Sequence, residues 1–302
     1  MTTPLPRARL PSQQQQQQHP WQSVPLPEDT SGYPPPPAIF TGHDRSWANN
    51  ATEQQAEEGE RWCRRYPLLA PIDPSNPALD RAPQLVNPQS NTFHGTITQT
   101  GPASWRIVTD RRNNDNCITV QPPLYVAARD DPRVTGRPRS VYFEVVLAKD
   151  LGGDAGVGIG FTALPYPAFR MPGWHRGSLA VHGDDGHKYV NDRWGGNDFV
   201  KPWGVKGVVG IGMTFSSVPG ESSGKGKGRV GAGGLDVEVF FTRNGKVEAK
   251  WDVNEEGDQK RDLEPVGVQG FHDLVAAVGS FEKTELEVVL DPERWVYKGV
   301  QL

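Results

Sequence analysis

The chain has 302 residues, and its 32 Lys+Arg against 36 Asp+Glu give a formal charge of -4 spread along its length. A balance this even lacks the net basic face that phosphate contacts demand, which excludes a dedicated nucleic-acid binder. Hydrophobic residues make up 35%, beside 34 glycines and 28 prolines, so a turn-rich domain is expected next to a segment that cannot fold. Two cysteines, Cys63 and Cys117, are too few for a disulfide framework or a Cys-type zinc site. The first residues, MTTPLPRARLPSQQQQQQ, have no apolar core and do not read as a signal peptide, and no stretch approaches the ~18–20 apolar residues of a membrane span.

In chain order, residues 1–50 carry six glutamines, Gln13–Gln18, and the prolines Pro34–Pro37. Such a segment buries too little apolar surface to offset its ordering entropy, so a disordered Gln/Pro-rich tail is expected, its prolines open to SH3 or WW domains. Residues 51–91 read as one short helix and a proline-rich connector. Thr52 and Gln55 form a capping-box pair, acidic residues lead, Arg61, Arg64 and Arg65 follow, and Pro67 stops the helix. Ala56, Trp62 and Cys63 are its candidate buried face, so it is expected to dock on something larger.

Residues 92–298 change to short strands between turn residues. VYFEVVL (141–147) is aromatic and β-branched; GVGIGF (156–161) and VVGIGMTF (208–215) are glycine-rich apolar runs suited to strands packed closely on both faces. LDVEVFF (235–241) alternates, and Asn244-Gly245 is a strong hairpin signal returning through KVEAKW. LVAAVGSF and ELEVVL close the series. Strands at roughly 8–12-residue spacing with few helices predict an all-β, antiparallel sandwich.

These runs resemble the SPRY domain, and they come in that family's order. VYFEVVL resembles its opening strand. The stretch 156–190, with Pro165-Tyr166-Pro167, Arg170, Pro172-Gly173-Trp174 and His182-Gly-Asp184-Asp185-Gly-His187, is similar to its most diagnostic block. VVGIGMTF with VFFTRNGK resembles the later strand pair, and LVAAVGSF the penultimate strand. The similarity is strongest to Ran-binding-protein-M-like SPRY domains and to fungal SPRY adaptors of WW-domain ubiquitin ligases. The resemblance implies a bent antiparallel β-sandwich with a shallow peptide-binding face and no catalysis. It also implies a protein or short-peptide partner, with a WW-domain ligase among the candidates, and neither nucleic acid nor cofactor. An insertion, Ser216–Gly234, separates two matched strands. The expected location is cytoplasmic, or nuclear, or peripheral to the endosome or vacuole.

Four groups of residues are weighed for chemistry. His182–His187 puts two imidazoles and two carboxylates together, but strands flank it, so Asp185-Gly186 reads as a hairpin turn and no metal is expected. Gly226–Gly231 matches GxGxxG but lies between strands, without the helix that a dinucleotide needs. Pro122-Pro123-Leu124-Tyr125 matches PPxY, a WW-domain ligand, provided that Tyr125 is exposed; the alternative is a buried tyrosine. Tryptophans in Gly/Asn/Asp loops are packing anchors or interface hot spots. Tyr166, Arg170, Trp174, His175, Tyr189, Asn191 and Trp194 are the candidate peptide contacts in the 164–204 loops, with core packing the competing reading for Trp174. Neither a Gly-x-Ser-x-Gly elbow nor HExxH is present, so no enzyme is expected. Two functions stay open: an adaptor that recruits cargo to a ubiquitin ligase or for sorting, and an assembly subunit of a larger ligase or chromatin-type complex.

Overall fold

The computed structural model describes residues 51–152, 155–218, 234–255 and 263–300. The glutamine run, Pro34–Pro37, the GxGxxG match and most of the 216–234 insertion lie outside these residues.

Helix α1 (Glu53–Arg65) forms as its caps predict: Thr52 Oγ1 accepts the Gln55 N–H, and the Gln55 side chain accepts the Thr52 N–H. A 3-10 turn (Pro77–Asp80) leads into β1 (Gln84–Val86). Then come β2 (Gly95–Gly101), β3 (Ser104–Thr109), β4 (Ile118–Gln121) and the one-turn helices α2 (Ala127–Asp130) and α3 (Pro132–Thr135). The remaining strands are β5 (Arg139–Leu147), β6 (Gly156–Ala163), β7 (Ser178–His182), β8 (Lys188–Val190) and β9 (Gly207–Ser217). The last four are β10 (Leu235–Arg243), β11 (Lys246–Asp252), β12 (Leu274–Phe281) and β13 (Glu285–Val289).

They form two antiparallel sheets, ordered β1-β4-β12-β6-β7-β8 and β11-β10-β9-β5-β13-β3-β2. Strand pairing starts at Gln84, so the proline-rich connector supplies an edge strand rather than only running over the surface. The main core lies between the sheets. Val141, Phe143, Val145 and Leu147 alternate inward from β5 and meet Ile211, Met213 and Phe215 of β9 and Val157, Ile159 and Phe161 of β6.

The glycines of the apolar strands have a steric cause. A Cβ on Gly210 would lie 2.1 Å from the Tyr142 hydroxyl, and one on Gly212 would lie 2.2 Å from the Phe240 ring. Those two rings pack with Trp295 on the outer face of the second sheet, so both faces of its central strands are covered. The buried Glu144 carboxylate holds this cover by accepting the Val296 and Tyr297 N–H groups at 2.8 and 2.9 Å. Asn244 and Gly245, with φ of 49° and 79°, make the tight turn between β10 and β11 that the Asn-Gly pair predicts. Asp185-Gly186 likewise turns β7 into β8, with Gly186 at φ 76°.

Candidate functional site

The PPxY run does not present a WW ligand. Tyr125 is 0% exposed, stacks on Phe215 with ring centroids 3.9 Å apart, and donates its hydroxyl to Gly270 O at 3.0 Å. The backbone of Leu124 and Tyr125 pairs with Leu274 of β12, which draws Pro122 and Pro123 into the end of the sheet. A WW groove needs the tyrosine and the prolines on an open polyproline II segment, and here the tyrosine is core.

Five of the seven expected peptide contacts are also buried. Arg170 and His175 are 1% and 0% exposed, and Tyr166, Trp174 and Tyr189 are buried with them. They form a polar and aromatic cluster. The Arg170 guanidinium lies 4.4 Å over the Trp174 ring, sits 3.5 Å from the Asp115 carboxylate, and donates from Nε to His175 Nε2 at 3.1 Å. Because arginine stays protonated, His175 Nε2 must be the acceptor, so Nδ1 carries the proton and donates to Glu60 of α1 at 3.3 Å. Burial lowers the His175 pKa, and the His175 hydrogen bond lowers that of Glu60. Desolvation pushes Asp115 up to about 6, against the pull of Arg170. Tyr166 donates to Met171 O at 2.5 Å, and Tyr189 donates to Asp185 at 2.6 Å while stacking on His182.

The cluster packs against α1 through His175. Ala56, Gly59 and Cys63 face inward, and a Cβ on Gly59 would fall 2.2 Å from His175 Nε2. Arg176 donates to the Cys63 and Tyr66 carbonyls at the end of the helix, where cations are favoured. Trp62, expected as part of the buried face, is half-buried and packs at a tilt against Tyr66 instead. Of the seven residues, Asn191 and Trp194 reach the surface in part: Asn191 donates to Glu264 O at 3.1 Å, and Arg193 lies 4.6 Å over the Trp194 ring.

An open concave feature lies elsewhere. A cavity of about 570 Å³ opens where three loops converge: β3–β4 with Val108 and Arg111, β5–β6 with Lys149–Gly152, and the β12–β13 turn with Glu282–Glu285. Its walls are braced from inside by buried polar groups. Asn113 Nδ2 donates to Ser280 O, and Asn116 Nδ2 donates to Asn113 Oδ1, Asn114 O and Ser280 O. Glu282 N–H donates to Asn113 O, while Thr109 Oγ1 meets Glu282 O at 2.6 Å and Thr284 Oγ1 at 2.9 Å. Asn113, Asn116, Ser280 and Thr284 are each 2% exposed or less. A fully paired buried network of this kind rigidifies the backbone it joins.

The turn itself is strained. Glu282 has φ of 54°, a left-handed conformation that side chains other than Gly and Asn adopt at a cost of roughly 1–3 kcal/mol, and such residues cluster at functional sites. Glu285 is held by Lys149 and Arg106, whose hydrogen bonds bring its carboxyl down to about 2. Sequence reasoning missed this site. The signals available were the polar run Arg111–Asn116, unusual just before an apolar strand, and the Glu-Lys pair in the β12–β13 turn.

No model of a known protein family matches the chain. Among curated proteins it is 32% identical over 113 residues to a Ran-binding protein M homolog of Arabidopsis thaliana, covering 36% of this chain and 19% of that protein. It is 40% identical over 78 residues to human SPRY domain-containing protein 3, 26% of this chain and 17% of that one. Protein ssh4 of Aspergillus clavatus is 29% identical over 132 residues, 44% of this chain and 20% of that protein. The match thus spans about a fifth of the length of these relatives. Among solved structures, a human SPRY domain covers 68% of this chain and 97% of its own at 18% identity, with a TM-score of 0.39. The ordered strand motifs and the curated matches make the chain similar to SPRY-domain proteins over part of its length.

Proposed function

We propose that this is a non-catalytic interaction protein whose SPRY domain binds a short peptide of a partner protein in the cavity between the β3–β4, β5–β6 and β12–β13 loops. The observation that carries this reading is the bracing. Asn113, Asn116, Ser280, Thr109 and Thr284 tie two of the three loops together beneath the cavity, so the walls these two loops form are fixed before a ligand arrives. Pre-organisation of this sort reduces the entropy lost on binding. The resemblance of the strand motifs to fungal SPRY adaptors favours an adaptor that brings its bound protein to a ubiquitin ligase or a sorting route. The buried Tyr125 takes the PPxY run out of that scheme, so a ligase would be engaged by another part of the chain.

The test is affinity purification of the full chain beside two variants. Gly152→Trp adds bulk to the cavity at a position where a Cβ meets nothing within 4 Å. Trp194→Ala alters the partly exposed loop on the 164–204 side. Loss of a partner protein from folded Gly152→Trp alone is the expected result, with any ligase retained. Partners lost from Trp194→Ala alone would move the site to that loop. A stoichiometric complex indifferent to both would favour the assembly-subunit reading, in which the domain serves as scaffold.

A further inference from the structure

We infer that the peptide taken by this cavity carries an acidic side chain, read by Arg111 and Lys283. The inference rests on the peptide-binding reading of the cavity and adds the ligand's chemistry. The charged groups around the cavity are Arg111, Lys149 and Lys283 against Asp150, Glu282 and Glu285, with Arg106 reaching Glu285 from β3. They are not equally available. Glu285 is held between Lys149 and Arg106, which also occupies Lys149. Asp150 accepts the Lys206 backbone N–H at 2.6 Å, so part of its acceptor capacity is used in tying the β5–β6 loop to the segment before β9.

Arg111 and Lys283 are different. Both are exposed, and among the described residues neither is paired with a carboxylate. They stand on separate loops, β3–β4 and β12–β13, joined beneath by the Asn113 backbone bond to Glu282 and the Thr109–Thr284 pair. Two cations, neither in an ion pair among the described residues, lining one cavity from two loops make a positive spot on a chain whose formal charge is -4. Val108 and Leu151 line the same cavity and offer apolar contact for a residue beside the acidic one. Glu282 is the competing charge. Its left-handed backbone, fixed at both its N–H and its C=O, sets how the turn presents Lys283.

The experiment is panning of a random dodecapeptide display library on the full chain, followed by titration of the enriched peptides into four proteins. These are wild type, Gly152→Trp, the pair Arg111→Ser with Lys283→Ser, and Glu282→Gln. Peptides with Asp or Glu at a fixed position are expected. Their binding should vanish in Gly152→Trp and weaken roughly tenfold in the double variant, the scale of losing charge-assisted hydrogen bonds. It should tighten in Glu282→Gln and weaken with added salt. Peptides that lose binding in Gly152→Trp, yet show no acidic position and ignore the double variant, overturn the ligand class while the cavity stands. Peptides that bind Gly152→Trp as well as wild type, or a library that yields no binder, overturn both. Thermal melts of each variant guard against unfolding; Arg111 and Lys283 are exposed, and their removal leaves the core untouched.

Discussion

Glu60 of α1 accepts a hydrogen bond from His175 at 3.3 Å across the seam between the helix and the sandwich, and Arg193 reaches the same carboxylate at 3.7 Å. This one acidic residue ties an element outside the two sheets to two separate loops. It does so beside a helix face of only Ala56, Gly59 and Cys63, too small for apolar burial to hold the helix strongly. The docking of α1 therefore depends on close fit and on charge-assisted hydrogen bonds.

The close fit gives a test of sign. In a free helix, Gly→Ala at position 59 would stabilise by about 1 kcal/mol. In the docked helix the new Cβ falls 2.2 Å from the buried His175 ring, and overpacking of that kind costs roughly 1–3 kcal/mol. Gly59→Ala is expected to lower the thermal midpoint. A rise would show that α1 does not rest on His175.

The buried cluster also predicts a pH signature. Burial depresses the His175 pKa below its unfolded value, so its contribution to stability is present above about 6.5 and is lost as pH falls through the folded value. Asp115 acts the other way: its folded pKa of about 6 lies above the unfolded value, so stability is lost as pH rises through 6 and regained on acidification. Between pH 6.5 and 5 the two oppose each other. In His175→Gln the Asp115 contribution is no longer opposed by His175, and urea midpoints at pH 7 and pH 5 should show a larger gain on acidification than wild type. A gain equal to or smaller than wild type would mean that His175 is not held neutral.

Glu282 offers a third prediction. Glycine adopts φ near 54° without steric cost, so Glu282→Gly should raise unfolding stability by up to about 1 kcal/mol. The turn gains freedom in the unfolded state, which limits the gain. A clear loss of stability in denaturant titration would mean that the Glu282 side chain, and not only the backbone, supports the turn.

Tyr125 separates motif from core. Tyr125→Phe removes the bond to Gly270 O and should cost about 1 kcal/mol. Tyr125→Ala empties a site beside Phe215 and should cost roughly 3–5 kcal/mol, as large-to-small changes of buried aromatics do. Partners lost from the alanine variant but kept by the phenylalanine variant thus report unfolding. Equal stability of all three proteins by calorimetry would contradict the buried placement.

The strands, the Asn244-Gly245 turn, the Asp185-Gly186 turn and the α1 cap were legible because each rests on neighbours in sequence: alternation, left-handed tolerance and i,i+3 hydrogen bonds. Glycines 210 and 212 were legible as strand residues, while their partners Tyr142 and Phe240 come from other strands. The candidate site was not legible. The stretch 164–194 is rich in Tyr, Arg, Trp and His, and the first three are also the side chains that make interface hot spots. The burial of His175 against α1 depends on a contact between residues 60 and 175 that no local pattern encodes. Arg111 and Lys283 are ordinary surface residues in sequence and become a pair only because β3 and β12 end at the same rim. The sequence by itself determined an antiparallel β-sandwich and a capped N-terminal helix, since periodicity and caps are short-range. The tertiary structure alone decided which polar residues face solvent and which brace the fold, because burial is a property of the whole packed chain.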